Sequence, residues 1–183
     1  MAPRKVIMSR ALLSRRRISR AATLVVATVV VAYGWVASHT VRDADAAEDR
    51  GSFGYLQAEN ADAQHGTRTE PTRDTGGGED VTGIGDGDGI RFAGIVFPAG
   101  APHLFHARIA SAAAVPGTIE IRIDSATGPA IAALTTPRTG GWQSWDEATA
   151  PMARTVTGRH DLYLTFTSPT HTDFANLNWI RFT

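Results

Sequence analysis

Thr118-Ile-Glu-Ile-Arg-Ile-Asp124 decides the fold. Ile119, Ile121 and Ile123 alternate with Glu120 and Arg122, and a period of two places the isoleucines on one face of a β-strand. Asp161-Leu-Tyr-Leu-Thr-Phe-Thr167 repeats the pattern through Leu162, Leu164 and Phe166, and the stretches 89–97 and 103–109 supply further strands. Short apolar runs between Gly, Pro, Asp and Thr punctuation recur every ~8–12 residues, the mark of a sandwich or barrel. No segment after residue 52 carries the period of a helix. The pattern predicts an all-β domain over residues 53–183, a jelly-roll sandwich of two antiparallel sheets with about eight to ten strands.

The chain has 183 residues, enough for one such domain and an additional segment, and the addition lies in front. Arg4, Lys5, Arg10, Arg15, Arg16, Arg17 and Arg20 precede an uncharged run from Ala21 to Ala37. Basic residues before an apolar stretch predict a hydrophobic N-terminal helix over 1–37, either a signal peptide or a signal anchor. The run sits near the lower limit of the ~17–25 residues a spanning helix needs, so length leaves both outcomes open. Small-x-small cleavage sites exist at Val36-Ala-Ser38 and Ala44-Asp-Ala46, and Ser14-Arg-Arg-Arg-Ile18 loosely matches a twin-arginine signal. In either case the positive-inside rule puts the folded domain outside the cytoplasm, secreted or tethered to the outer face of the membrane. Residues 38–52 are charged and poor in large apolar groups, which predicts an exposed linker.

The whole chain carries no net charge, but residues 51–183 hold nine Arg, no Lys and fourteen Asp and Glu, a net charge of −5. An acidic domain lacks the basic footprint that phosphate backbones require, so nucleic acid is not an expected partner. There is no cysteine, which excludes disulfides, thiolate nucleophiles and thiolate metal ligands.

Gln57 and Glu59 lie two apart on the first predicted strand, where they would share a face; hard oxygen donors so placed suit Ca²⁺, or form a hydrogen-bonded polar pair at a sandwich edge. Gly83-Ile-Gly-Asp-Gly-Asp-Gly89 imitates the start of an EF-hand loop but lacks its third ligand and terminal Glu, so it reads as a glycine-permitted turn. His103 and His106 are three apart on a strand, point to opposite faces and cannot chelate one metal. Trp142 follows Gly140-Gly141, where its indole could present a flat apolar face, whereas Trp145 and Trp179 are expected to be buried. Asp146-Glu147 are adjacent and face opposite sides, and neither a Gly-x-Ser-x-Gly elbow nor a His-Glu-x-x-His motif occurs. The domain is expected to be non-catalytic.

Four segments, Tyr55-Leu-Gln-Ala-Glu-Asn60, Asp74-Thr-Gly-Gly-Gly-Glu-Asp-Val81, Thr139-Gly-Gly-Trp-Gln-Ser-Trp145 and Asp173-Phe-Ala-Asn-Leu-Asn-Trp-Ile-Arg-Phe-Thr183, resemble a family 6 carbohydrate-binding module in order and spacing. The resemblance implies a lectin-like β-sandwich with a shallow aromatic site for polysaccharide at the sandwich edge, of the plant cell-wall glycan or β-glucan type. It implies one structural Ca²⁺ held by Gln57, Glu59, a carbonyl near Thr75, and Asn178. It also implies that Trp142 stacks on the sugar and that Asn176 hydrogen-bonds a hydroxyl beside it. The family usually carries a Tyr where Gly83 stands and a Trp where Gly89 stands. With the Tyr absent, the expected aromatic sandwich becomes a one-sided platform, for which the loop 168–174 offers His171 or Phe174 as a substitute wall. Gly83→Tyr would restore the wall provided position 83 does not need a positive φ. The protein is expected to act as a free or membrane-tethered binder, with a separately encoded glycoside hydrolase as a possible partner. The alternative is a structural or protein-interaction jelly roll of the cell envelope whose sugar site has decayed.

Overall fold

The isoleucine strand does lie in the interior, as β7 (Thr118–Ile123), between two partners of the same alternating character. The computed structural model describes residues 54–183, so the hydrophobic N-terminal helix, the linker over 38–52 and residue 53 lie outside the described residues. Within them no helix is long and apolar enough to cross a membrane.

In chain order the strands are β1 (Leu56–Gln57), β2 (Ala63–His65), β3 (Arg68–Pro71), β4 (Glu79–Ile84), β5 (Gly89–Phe97), β6 (Leu104–Ser111), β7, β8 (Ala130–Thr135), β9 (Gly141–Pro151), β10 (Gly158–Thr167) and β11 (Ala175–Phe182). One sheet runs β3-β4-β11-β6-β9, with β1 added against the end of β11; the other runs β2-β5-β10-β7-β8. Every pairing is antiparallel. The all-β sandwich of two antiparallel sheets is therefore as the periodicity requires. A single 3₁₀ turn, Ala58–Asn60, follows β1, and no α-helix occurs among the described residues.

The core forms where the inner faces meet. Ile119, Ile121, Leu162, Leu164 and Phe166 are fully buried from one sheet, and Phe105, Ile109, Leu177 and Ile180 from the other. Ile123, at the end of β7, is only partly buried. Phe97 and Phe182 meet edge to face across the sheets with centroids 5.3 Å apart, a favoured arrangement of aromatic quadrupoles.

Two sequence expectations are corrected in this core. Phe174, offered as a wall for the sugar, has no exposed surface. Its ring packs against Phe166 at 6.4 Å and covers Gly117 so closely that a Cβ there would collide with it. The cause is the backbone of the loop before β11, where Phe174 N–H donates to the Ile84 carbonyl at 2.8 Å and the Phe174 carbonyl accepts from Ser111 Oγ at 2.7 Å, turning the side chain inward. Trp145 and Trp179 are half-buried rather than core residues. Trp145 lies on the edge strand β9, and Trp179 faces outward beside the exposed Tyr55, 4.6 Å away.

Phe174→Ala is expected to lower unfolding free energy by about 3–5 kcal/mol, the cost of emptying a buried aromatic site. Urea denaturation measures it; a loss below ~1 kcal/mol would place the ring at the surface instead.

Candidate functional site

Two large side chains with aromatic rings stand exposed among the described residues, Trp142 at 40% and Tyr55 at 55%. Trp142 owes its position to an irregularity in β9. Gly141 lies opposite Ser111 and Trp145 opposite Ala110, so four steps along β9 span one step along β6. Residues 142–144 bulge from the ladder, and a bulge re-aims side chains that a regular strand would commit to one face. Ser111 anchors the approach: its carbonyl accepts from Thr139 N–H at 3.0 Å and Gly140 N–H at 3.1 Å.

Beneath the bulge lies a polar network that joins four strands. Asn176 Nδ2 donates to the Trp142 carbonyl at 2.9 Å and to Glu70 Oε1 at 3.1 Å, while its Oδ1 accepts from Thr82 Oγ1 at 2.9 Å. Gln143 Nε2 donates to Glu70 Oε1 at 2.8 Å and Asp80 Oδ1 at 3.1 Å, and its Oε1 accepts from Arg73 N–H and Trp145 Nε1. Asn176 is thus buried, with both amide hydrogens used internally. It braces the backbone of Trp142 instead of lying open beside the indole. Gln143, Glu70 and Asp80 escaped the sequence reading of the site, although Gln143 and Asp80 lie inside the segments that carry the family resemblance.

Burial raises the Asp80 carboxyl from its ordinary 3.8 to about 6, with the Gln143 hydrogen bond opposing and the Glu70 charge adding to the rise. A folded state that holds its proton more tightly than the unfolded chain loses stability as pH rises from 3.8 to about 6, and the loss is complete above that window. Asp80→Asn keeps an oxygen acceptor for Gln143 without the charge. It is expected to flatten this part of the stability profile and to stabilise the fold at pH 7 by up to about 3 kcal/mol, measured by thermal melts across pH.

Gly83 stands at the second irregularity. Ala175 pairs with Ile84 and Leu177 with Val81, so three steps of β4 oppose two of β11, and Gly83 takes φ +69°. That is the left-handed region, and a Cβ there would also collide with Nη1 of Arg68. The positive φ alone strains the wall-restoring substitution Gly83→Tyr, because the Arg68 fork is the far end of an exposed side chain and can move aside. The Gly85–Asp88 segment is a tight turn, as read: Asp88 Oδ2 accepts from Gly85 N–H at 2.7 Å, and Asp86 Oδ1 accepts from Ser168 N–H at 2.9 Å. His171 is exposed in the loop after β10 and makes no hydrogen bond or ion pair among the described residues.

The second exposed ring, Tyr55, borders a cavity of about 390 Å³ that gathers Gln57, Glu59, Thr75 and Asn178. The expected common strand face is not how this happens. β1 ends at Gln57, and Glu59 reaches the cavity from the 3₁₀ turn. Glu59 Oε2 is buried without a hydrogen-bond partner, and desolvation raises its carboxyl above the ordinary range. Asp74 is held below its ordinary range by Arg108, whose guanidinium donates to both carboxylate oxygens at 2.9 and 2.7 Å. Asn178 Nδ2 donates to Asp74 Oδ2 at 2.8 Å, leaving its Oδ1 outside any hydrogen bond. The described residues contain no cluster of three or more His, Cys, Asp or Glu suited to a metal, so a cation here would depend on amide and backbone oxygens beside Glu59.

His106 and His103 do not converge. His106 is tied to Glu147 Oε1 and Thr183 Oγ1, both at 2.8 Å. Glu147 is held below its ordinary range by Arg181 first and His106 second, which keeps it ionised and unlike a general acid.

A two-sheet sandwich with an exposed indole on an edge-strand bulge above a braced amide network has the architecture of a lectin-like binding module. The family model described as carbohydrate binding module (family 6) matches residues 57–183, and the chain belongs to that family, whose fold is that of non-catalytic carbohydrate-binding modules. A β-1,3-glucan-binding family 6 module from Bacillus halodurans is 36% identical, with a TM-score of 0.68, over 72% of this chain and 96% of that one. A family 6 module from Clostridium cellulolyticum in complex with xylose is 37% identical, with a TM-score of 0.67, over 73% and 98%. Among curated proteins, an arabinoxylan arabinofuranohydrolase from Paenibacillus polymyxa is 37% identical over 131 residues, which are 70% of this chain but 20% of that enzyme.

Proposed function

We propose that this module binds β-linked polysaccharide, of the plant cell-wall or β-glucan type, by stacking a sugar ring on Trp142. The observation that carries the reading is the 40% exposed indole on the β9 bulge. Sugar rings have apolar C–H faces that complement such a surface. An open platform buries little of its ligand, so oligosaccharide affinity is expected near about −5 to −7 kcal/mol. The similar modules, one a β-1,3-glucan-binding module and one solved with xylose, support this ligand class. The relatives that are enzymes support a role in holding a hydrolase near its polymer.

A Ca²⁺ ion belongs to the same reading. Glu59 supplies the one carboxylate, with its orphaned Oε2; Gln57 and Asn178 supply amide oxygens and the Thr75 region a carbonyl. A bound cation would fix β1 and the loop after β3 against β11. Ligand binding to the native state alone stabilises by RT ln(1 + [L]/Kd), about 2.7 kcal/mol at a hundredfold excess.

Affinity electrophoresis in xylan and β-glucan gels tests the sugar site: Trp142→Ala is expected to abolish retardation with little change in Tm. Unfolding of Trp142→Ala together with no retardation of the wild type would remove the assignment in favour of a structural jelly roll. For the cation, chelator is expected to lower the Tm of the wild type and to leave Glu59→Gln unmoved. An unchanged wild-type melt would exclude a structural ion.

A further inference from the structure

The family's second aromatic position is glycine here, and an arginine occupies the space. Arg68 on β3 lies directly opposite Thr82 on β4, so the two side chains share a face. Thr82 in turn donates to Asn176, which braces Trp142. Gly83, next along β4, is held by its bulge so that its missing side chain would point into the guanidinium: a Cβ there would collide with Nη1 and lie 3.0 Å from Cζ.

Arg68 differs from the arginines elsewhere on the two sheets. Arg91, Arg108, Arg122 and Arg181 each hold a carboxylate, of Asp161, Asp74, Glu120 and Glu147 respectively, and Arg159 on β10 donates to the Gly94 carbonyl at 3.0 Å. Arg68 is exposed and has no hydrogen bond or ion pair among the described residues. The acids nearest to it along the sheet do not supply one. Glu70 Oε1 takes amide hydrogens from Gln143 and Asn176, and Asp80 is buried against Gln143.

An unpaired guanidinium beside a sugar platform presents a planar fork of donors that matches a carboxylate in two parallel hydrogen bonds. We propose that Arg68 makes this site selective for acidic glycans, those in which a uronic acid is carried on, or forms part of, the polymer that stacks on Trp142. The inference rests on the Trp142 reading and deepens it: the indole supplies sequence-tolerant stacking, and Arg68 supplies the preference for a carboxylate.

The test compares glucuronoxylan with the same polymer after its carboxyl groups are reduced to alcohols, using the full chain in affinity gels and titration calorimetry. Wild type is expected to bind the acidic polymer about tenfold more tightly, in keeping with charge-assisted hydrogen bonds, and to lose the difference at high salt. Arg68→Gln is expected to bind both forms with the affinity wild type shows for the reduced polymer, and Arg68→Lys to keep part of the preference. Equal wild-type affinity for the two forms, or an unchanged ratio in a folded Arg68→Gln, overturns the proposal while leaving Trp142 as the platform. Retention of both polymers by Trp142→Ala overturns the platform itself, and with it this inference.

Discussion

A strand with a period of two can aim a side chain at the core or at solvent and nowhere else, and the site exists because that constraint is broken twice. In β9 the extra residues lift Trp142 out of the ladder, and in β4 the bulge at Gly83 removes a side chain where Arg68 lies. Both irregularities are fixed by hydrogen bonds from neighbouring strands: Ser111 holds the entry to the β9 bulge, and Asn176 spans from Thr82 to the Trp142 carbonyl. The core beneath is regular so that the surface can be irregular. Leu177 and Ile180, buried on either side of the bulge in β11, keep the sheet registered while Asn176 and Asn178 face outward.

The two outward asparagines of β11 divide the outer face of this sheet into two zones. Around Asn176 the acids Glu70 and Asp80 accept from amide donors, Asp80 keeps one buried oxygen without a partner, and burial favours its protonated form. Around Asn178, the Asp74 carboxyl is held below its ordinary range by Arg108, and Glu59 is left with a desolvated oxygen that has no partner. The first zone holds an aromatic platform and an unpaired cation. The second holds oxygen donors. Their chemistry is separated by a single step of side-chain alternation along one strand, which places an aromatic platform and a set of oxygen donors side by side on one sheet face.

The alternating runs of β7 and β10 specified the sandwich directly, because the hydrophobic effect acts on each face of a strand independently and the pattern records which face is dry. Gln57, Glu59, Thr75 and Asn178 were also legible as a group, through the order of the motifs that carry them, and they do line one cavity. The direction of individual side chains was less legible. Phe174 follows five polar residues of its loop and reads as exposed, yet two backbone hydrogen bonds turn it inward onto Phe166. Asn176 reads as a free amide, yet its donors are consumed by Glu70 and Trp142, residues 106 and 34 positions away.

By itself the sequence determined the class of fold, the alternating core positions of β7 and β10, the absence of disulfide chemistry and the family to which the motifs belong. Those properties depend on local period and composition. Tertiary structure alone decided that Tyr55 is exposed, that Trp145 and Trp179 are half-buried, and that Gly83 has a positive φ. It also decided that Arg68, fifteen residues earlier, fills the space above that glycine. Register shifts set these outcomes, and a register shift is a relation between strands brought together only by folding, so no single stretch of chain encodes it.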